Sequence, residues 1–339
     1  MSSLNDTSSN QQLTSAEVGK LWASYMGNTM GSCVLRYFYQ HVDDGDIKEV
    51  IKTAYHLSRE FIDRITAILK KENHPIPVGF TEKDVNLKAP RLFMDEFYLH
   101  YLKYIAKAGM SLYAIAVPLM TRKETKELFT HCVKATTDLM NLVNNVLLKK
   151  GYLTKPPFIP IPNQVDFVKK QTYLSGFFGD VRPAHALEIA HNFDNLENNV
   201  TSKALLVGFV QVSQDRKVKD ALIRGKELTE KHLEIFSEQL HRDNLPSHPR
   251  LDHLVTSSII PPFSDKLMIS HKIDMFSMKI RGYGNAASLN GRHDIGLNNA
   301  KALMDVSRYV QDLANIVIDK GWMEQMPQAV KRDELGYRK

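Results

Sequence analysis

Two pairs of residues in the sequence have the types and the spacing of metal ligands. Glu188 and His191 stand three residues apart in the stretch EIAHNFDNLENN, and Glu238 and His241 repeat that spacing. Residues three apart share one face of a helix, and Glu-x-x-His pairs on facing helices hold the metal ions of di-iron bundles. Together with His293, these carboxylates and imidazoles also suit Zn²⁺ or a similar divalent ion. The five residues are therefore the candidate metal site. Whether they can bind one ion together depends on how the helices that carry them are arranged.

Those helices belong to a unit that occurs twice in the chain. Residues 17–77 align with residues 188–248 at a constant offset of 171, with eleven identities. An offset of 170 adds nine identities between residues 95–157 and 265–327. An ordered match of this length predicts an internal duplication. The identical pairs include Glu17/Glu188, Asn28/Asn199, Asp44/Asp215, Tyr113/Tyr283, Arg122/Arg292, Lys150/Lys320 and Gly151/Gly321.

Each copy is predicted to form four α-helices, because apolar residues recur at steps of three and four. The predicted helices span 15–41, 45–72, 93–119 and 122–150 in the first copy, and 185–212, 215–243, 265–288 and 292–320 in the second. Tight turns join the helices of each hairpin, whereas the connector between hairpins is long enough to run back along the bundle. The predicted fold class is all-α: two tandem ferritin-like four-helix bundles related by internal duplication.

The predicted domain organisation has five parts. The bundles occupy residues 14–153 and 183–328, after a polar and disordered tail at 1–13. A Pro-rich linker with a short helix spans 154–182, and we expect its residues 165–180 to cover apolar surface. A polar C-terminal tail follows at 329–339.

Several stretches resemble one family of proteins from spore-forming bacteria. They include TSAEVGKLWASYM, PPFIPIPNQVDFVKKQ, GFFGDVRP and NIVIDKGWMEQMPQ, and the resemblance covers nearly the whole chain. That family has no assigned activity, is built as two tandem ferritin-like bundles and is loosely likened to spore-coat proteins. The resemblance implies the fold and the kind of host, but no mechanism.

Alignment of the two copies predicts a structural role for Glu188. Its counterpart Glu17 closes the stretch TSAE, a capping box in which Thr14 caps a helix and the glutamate bonds back to the cap. A carboxylate in the first turn also suits the helix dipole. We therefore expect Glu188 to be a helix-start residue and the chain to need no cofactor. A divalent ion bound by the five candidate residues at one end of the second bundle is the alternative.

The second bundle also carries a histidine within its predicted apolar stripe. His232 stands where the first copy has Phe61. We expect this histidine to be buried and hydrogen-bonded rather than to bind a metal.

Composition argues against several other classes of protein. The chain has 339 residues, of which 43% are hydrophobic and 24% charged, as in ordinary globular proteins. It has no apolar run long enough for a membrane span and no secretory signal at its start. Its net charge of +6 is spread along the chain, which makes nucleic acid an unfavoured partner. The two cysteines, Cys33 and Cys132, fit buried free thiols in a reducing compartment.

These observations favour a non-enzymatic structural or interaction protein, associated with sporulation or the spore coat. Protein partners or self-association are expected, in the cytoplasm, the forespore or the spore. The alternative is a ferritin-like metal-binding protein or oxidoreductase with a degenerate site in the second bundle.

Overall fold

The computed structural model describes residues 12–179, 181–289 and 291–332. Within these ranges the chain forms eight α-helices, and its β-type pairing consists of two isolated bridges. The first copy contains α1 (Ser15–His41), α2 (Gly45–Lys71), α3 (Asp95–Ala116) and α4 (Lys123–Lys149), and the second contains α5 (Ala186–Val212), α6 (Arg216–His241), α7 (Asp265–Ala287) and α8 (His293–Asp319). The predicted all-α chain of two tandem four-helix units is confirmed. The predicted tails fall outside the described residues at 1–11 and 333–339.

Several helices begin or end where the sequence supplies caps. Ahead of α1, the backbone N–H of Thr14 donates to the Glu17 carboxylate at 2.8 Å, and the Thr14 hydroxyl accepts from the Glu17 N–H. The predicted capping box is therefore present. Gly151 and Gly321, which follow α4 and α8, have φ angles of 74° and 66°. Glycine adopts this left-handed conformation without strain, so it can end a helix there.

Polar contacts at the two ends of the first bundle establish the helix directions. Glu17 of α1 accepts hydrogen bonds from the backbone N–H groups of Thr121 and Arg122, just ahead of α4. Helices α1 and α4 therefore begin at the same end. At the opposite end, Lys150 after α4 pairs with Asp44 ahead of α2 at 2.5 Å. Since α2 ends and α3 begins at opposite ends, the connector between them runs back along the bundle, as predicted.

The two bundles pack against each other through α3 and α7. Six consecutive residues of α3, Phe97–Leu102, are buried, whereas a helix on the surface of a bundle buries only a stripe. The Tyr101 hydroxyl of α3 lies 2.6 Å from Nε2 of His271 in α7. The Tyr104 hydroxyl donates to the backbone carbonyl of Met275 at 2.7 Å. One apolar cluster consequently extends through both bundles.

The long connectors of the two copies pair with each other and reveal an approximate twofold axis. Val85 forms a bridge with Phe263, and Phe93 forms one with Val255. At the offset of 170, Val85 corresponds to Val255 and Phe93 to Phe263, so exchanging the copies exchanges the two bridges. Tyr101 and His271 also correspond and contact each other, which places them at the axis. The copies thus meet as subunits of an isologous dimer do, but within one chain.

The linker between the bundles is mostly exposed. A short 3₁₀-helix is present at Gln171–Leu174, and residues 173–176 are half-buried. Residues 165–170 and 177–179 are exposed, so most of this segment does not cover apolar surface of its own chain, and the expectation that residues 165–180 cover apolar surface stays a prediction for a contact with another chain. Charged Asp166, Lys169 and Lys170 lie among the apolar residues of the segment.

Candidate functional site

Glu188 lies in the first turn of α5, where it joins three segments of the second bundle. Its two oxygens each accept one hydrogen bond from the Arg182 guanidinium at 2.8 Å. The backbone N–H groups of His185 and Arg292 donate to it at 2.8 and 2.6 Å. These four hydrogen bonds fill the roughly four acceptor positions of a carboxylate. The prediction that Glu188 is a helix-start residue is confirmed, with His185 as the N-cap.

The surroundings of Glu188 keep its carboxylate charged. Burial acts to raise the pKa, because Glu188 is only 2% exposed. The bonds from Arg182 and from the backbone N–H groups of Arg292 and His185 outweigh burial and lower the pKa from 4.5 to about 2. Glu188 is therefore an anion that ties the start of α8 to the start of α5.

The other four candidate ligands lie near the same end of the bundle, but they do not converge. His191 is half-buried, whereas Glu238, His241 and His293 are exposed. Glu238 pairs with an arginine of its own helix, and His241 lies 3.3 Å from a serine hydroxyl. Among the described residues, no hydrogen bond or ion pair joins any two of the five candidates. Nor do three or more His, Cys, Asp or Glu side chains in these ranges form a group that could hold a metal ion.

Several identities between the copies are explained by polar contacts that recur in both bundles. Glu17 accepts from the Arg122 backbone as Glu188 accepts from that of Arg292. Other recurring contacts include Asp44 with Lys150 and Asp215 with Lys320 at the helix ends, and Asn28 with Tyr113 and Asn199 with Tyr283 in the interior. These polar residues hold helix ends and helix pairs together. Their identity in the two copies reflects the shared fold rather than a reaction.

The buried histidine of the second bundle is hydrogen-bonded, as predicted. His232 is fully buried, and its Nδ1 lies 3.2 Å from the Tyr283 hydroxyl. Burial, with a contribution from the positive charge of Lys279, lowers the pKa of His232 to about 4. The imidazole is therefore neutral at physiological pH and serves the interior packing.

Two buried lysines of α7 were not found from the sequence. Lys272 donates to the Ser202 hydroxyl at 2.8 Å, and Lys279 donates to that of Thr229 at 3.1 Å. Neither lysine has an ion-pair partner in the described ranges, and burial lowers the pKa of both well below 10.5. With exposures of 0% and 1%, they are not accessible to a substrate. The signals in the sequence are that Lys272 replaces Leu102 and that Lys279 replaces Gly109 of the first copy.

The linker carries the large apolar side chains with the highest exposed fractions in the described structure. We name as the apolar linker the segment 158–178, in which five such residues are between 83% and 92% exposed: Phe158, Ile161, Val165, Phe167 and Phe178. At its C-terminal end, Tyr173 is held by the Arg182 guanidinium, which lies 4.1 Å from the ring centroid. The linker is thus anchored near the start of α5 while its apolar side chains face solvent.

Comparison with known proteins identifies a family. A family described as "Protein of unknown function (DUF3231)" matches residues 1–165 and 173–335. The chain belongs to this family. The two matches to the DUF3231 family follow one another as the two bundles do, which agrees with the duplication. In the described ranges, no helix is long and apolar enough to cross a membrane.

Solved and curated proteins add little to the family assignment. A structure from Bacillus halodurans C-125, described as a "putative spore coat protein", is 18% identical to this chain. The match covers 45% of this chain and 99% of that one, with a TM-score of 0.41, which is too low to support an argument. No curated protein matches the chain.

Proposed function

We propose that the protein is a non-enzymatic structural protein of spore-forming bacteria that associates with copies of itself through the apolar linker. The exposure of the five linker side chains carries this proposal. Several large apolar side chains exposed in one segment are typical of interaction sites in folded proteins. The resemblance of the sequence to a family from spore formers supports a place in the sporulating cell, the forespore or the spore.

The size of the exposed surface suits a specific contact between two chains. Fully burying an aromatic side chain removes about 150–250 Å² from water, so the three phenylalanines among the five residues supply roughly 450–750 Å². That is close to the area each partner contributes to a standard interface, about 800 Å². The linker alone is therefore large enough to support association.

We propose a second copy of the chain as the partner that contacts the apolar linker. Residues 154–169 have no regular secondary structure, and within the described structure the N–H groups of their non-proline residues donate no backbone hydrogen bond. Two identical segments of this kind can pair around a twofold axis, since such an interface uses the same surface on both partners. The connectors already pair in this manner inside the chain.

Sedimentation analysis of three purified proteins tests the proposal. We expect the wild type to form a dimer or larger species at about 100 µM, a concentration that favours even a weak specific contact. The triple variant Phe158→Ser, Ile161→Ser, Phe167→Ser should sediment as a monomer, because it lacks most of the apolar area. A matched control changes three exposed apolar residues outside the linker: Ile259→Ser, Met304→Ser and Val330→Ser.

The control variant should keep the wild-type assembly. A monomeric wild type, or a linker variant that assembles as the wild type does, would show that the linker does not join copies of this chain.

A further inference from the structure

The apolar interior of the first bundle is interrupted by a cavity of about 360 Å³. Residues from all four helices of this bundle line it, and α7 of the second bundle closes one side. Leu35 and Tyr101 on its wall belong to the large apolar cluster. Phe61 and Tyr113 on its wall belong to a separate, smaller cluster. The cavity therefore lies where the core of the first bundle divides in two.

Small residues create this space. Gly27 and Gly31 of α1 and Ala106 and Gly109 of α3 line the cavity. A Cβ atom added at Gly27 would meet no heavy atom within 4 Å. The interior at this level is thus left open by the absence of side chains rather than by a distorted backbone.

The second bundle fills the corresponding region with larger side chains. At the offset of 170, Phe276 replaces Ala106, Lys279 replaces Gly109, and Tyr309 replaces Leu139. The rings of Phe276 and Tyr309 lie 4.6 Å apart, and the Lys279 Nζ is 4.0 Å from the Phe276 ring centroid. All three side chains are buried. The same fold can therefore be filled at this level by larger side chains.

The cavity opens to solvent at the edge where Asp274 and Arg281 are exposed, and Gly27 and Gly31 on its wall are half-buried. An apolar molecule that entered it would displace water and gain dispersion contacts with the apolar wall. An apolar cavity of about 150 Å³ is already large enough to bind benzene. The cavity in the first bundle also exceeds the lower bound of about 300 Å³ for small-molecule pockets.

The wall of the cavity includes a few polar groups. Ser24 and His271 are 2% and 3% exposed, and the Ser24 Oγ and the His271 Nδ1 have no hydrogen-bond partner in the described structure. Buried polar atoms without partners are costly, so a ligand that supplied a hydrogen bond would be favoured. On the α7 side, Asp274 and Arg281 are exposed at the edge and carry opposite charges. Their charges cancel, which favours an uncharged polar group over an ion.

We propose that the first bundle contains a binding site for a small, largely apolar molecule with one uncharged polar end, such as a hydroxyl group. The apolar part would occupy the space beside Gly27 and Ala106, and the polar end would lie toward Ser24 or His271. This site is independent of the self-association of the chain.

Isothermal titration with three related probes tests the site. We expect 2-naphthol to bind the wild type with a 1:1 stoichiometry, and more tightly than naphthalene or 2-naphthoate. Ala106→Phe introduces the residue of the second copy, and Gly27→Leu fills the open space from α1. Each should weaken 2-naphthol binding at least tenfold. Gly296→Leu in α8 is the matched control, because a Cβ there also meets no heavy atom within 4 Å, and it should leave binding unchanged.

Circular dichroism establishes that each variant is folded, and Gly27→Leu decides the outcome if Ala106→Phe fails to fold. A wild type that binds none of the three probes would overturn the proposal. Unchanged affinity in the folded filling variants would also overturn it, since binding would then occur elsewhere. Tighter binding of 2-naphthoate than of 2-naphthol would overturn the assignment of an uncharged end.

Discussion

Glu188→Gln should destabilise the protein far more than Glu238→Gln, although both replace a glutamate of the second bundle by its neutral isostere. The Glu188 carboxylate accepts four hydrogen bonds from Arg182, His185 and Arg292. Glutamine has a single acceptor oxygen, and its amide group would face donors. The Arg182 side chain would lose its anionic partner at the same time.

The expected loss follows from the pKa of Glu188. Folding lowers that pKa from 4.5 to about 2. One pKa unit corresponds to about 1.4 kcal/mol, so the charged form contributes about 3 kcal/mol to the free energy of unfolding. Because the folded pKa lies below the unfolded one, this contribution is fully present above about pH 4.5. It is lost as the pH falls toward about 2.

Urea unfolding followed by circular dichroism provides the measurement. At pH 7 we expect Glu188→Gln to lower the free energy of unfolding by about 3 kcal/mol, and the difference from wild type should shrink toward pH 2. Glu238 is exposed and pairs only with Arg242, so Glu238→Gln should change the value by less than about 0.5 kcal/mol. Equal losses in the two variants, or a loss independent of pH, would refute the structural role assigned to Glu188.

Two further predictions concern buried groups. Lys279→Met should stabilise the protein by about 1 kcal/mol or more, because it removes a buried amine without a carboxylate partner while Thr229 keeps its bond to the Gly225 carbonyl. The folded pKa of Lys279 lies below its unfolded value of 10.5, so the stability of the wild type should rise as the pH rises toward 10.5, and the gain from Lys279→Met should shrink. Thermal unfolding of both proteins at pH 7 and pH 10 measures these changes. A lower melting temperature of Lys279→Met than of the wild type at pH 7 would contradict this prediction. Burial raises the pKa of Cys33 and Cys132 to about 12, so both thiols should react with maleimide only after unfolding, and rapid labelling of the native protein would disprove their burial.

The helices were predictable because their signals are local. The periodicity of α5, the capping box at Thr14 and the glycines after α4 and α8 each involve residues within a few turns of one another. The structural role of Glu188 was predictable for a related reason, because its counterpart Glu17 belongs to the stretch TSAE, which has the sequence of a capping box.

The buried lysines of α7 were not predictable in this way. Hydrophobic periodicity predicts one buried face for each helix, and a charged residue is then assigned to the solvent-exposed face. Helix α7 is covered from several sides, by its own bundle and by α3 of the other, so Lys272 and Lys279 are buried although they are charged residues.

Local sequence signals were enough to predict a duplicated set of helices and several of their caps, because helix formation and capping depend on neighbouring residues. The pairing of the connectors around a twofold axis, the exposure of the apolar linker and the cavity in the first bundle emerged from the packing of the whole chain. Each of these depends on side chains that are distant in sequence and on whether their volumes fill the space between helices.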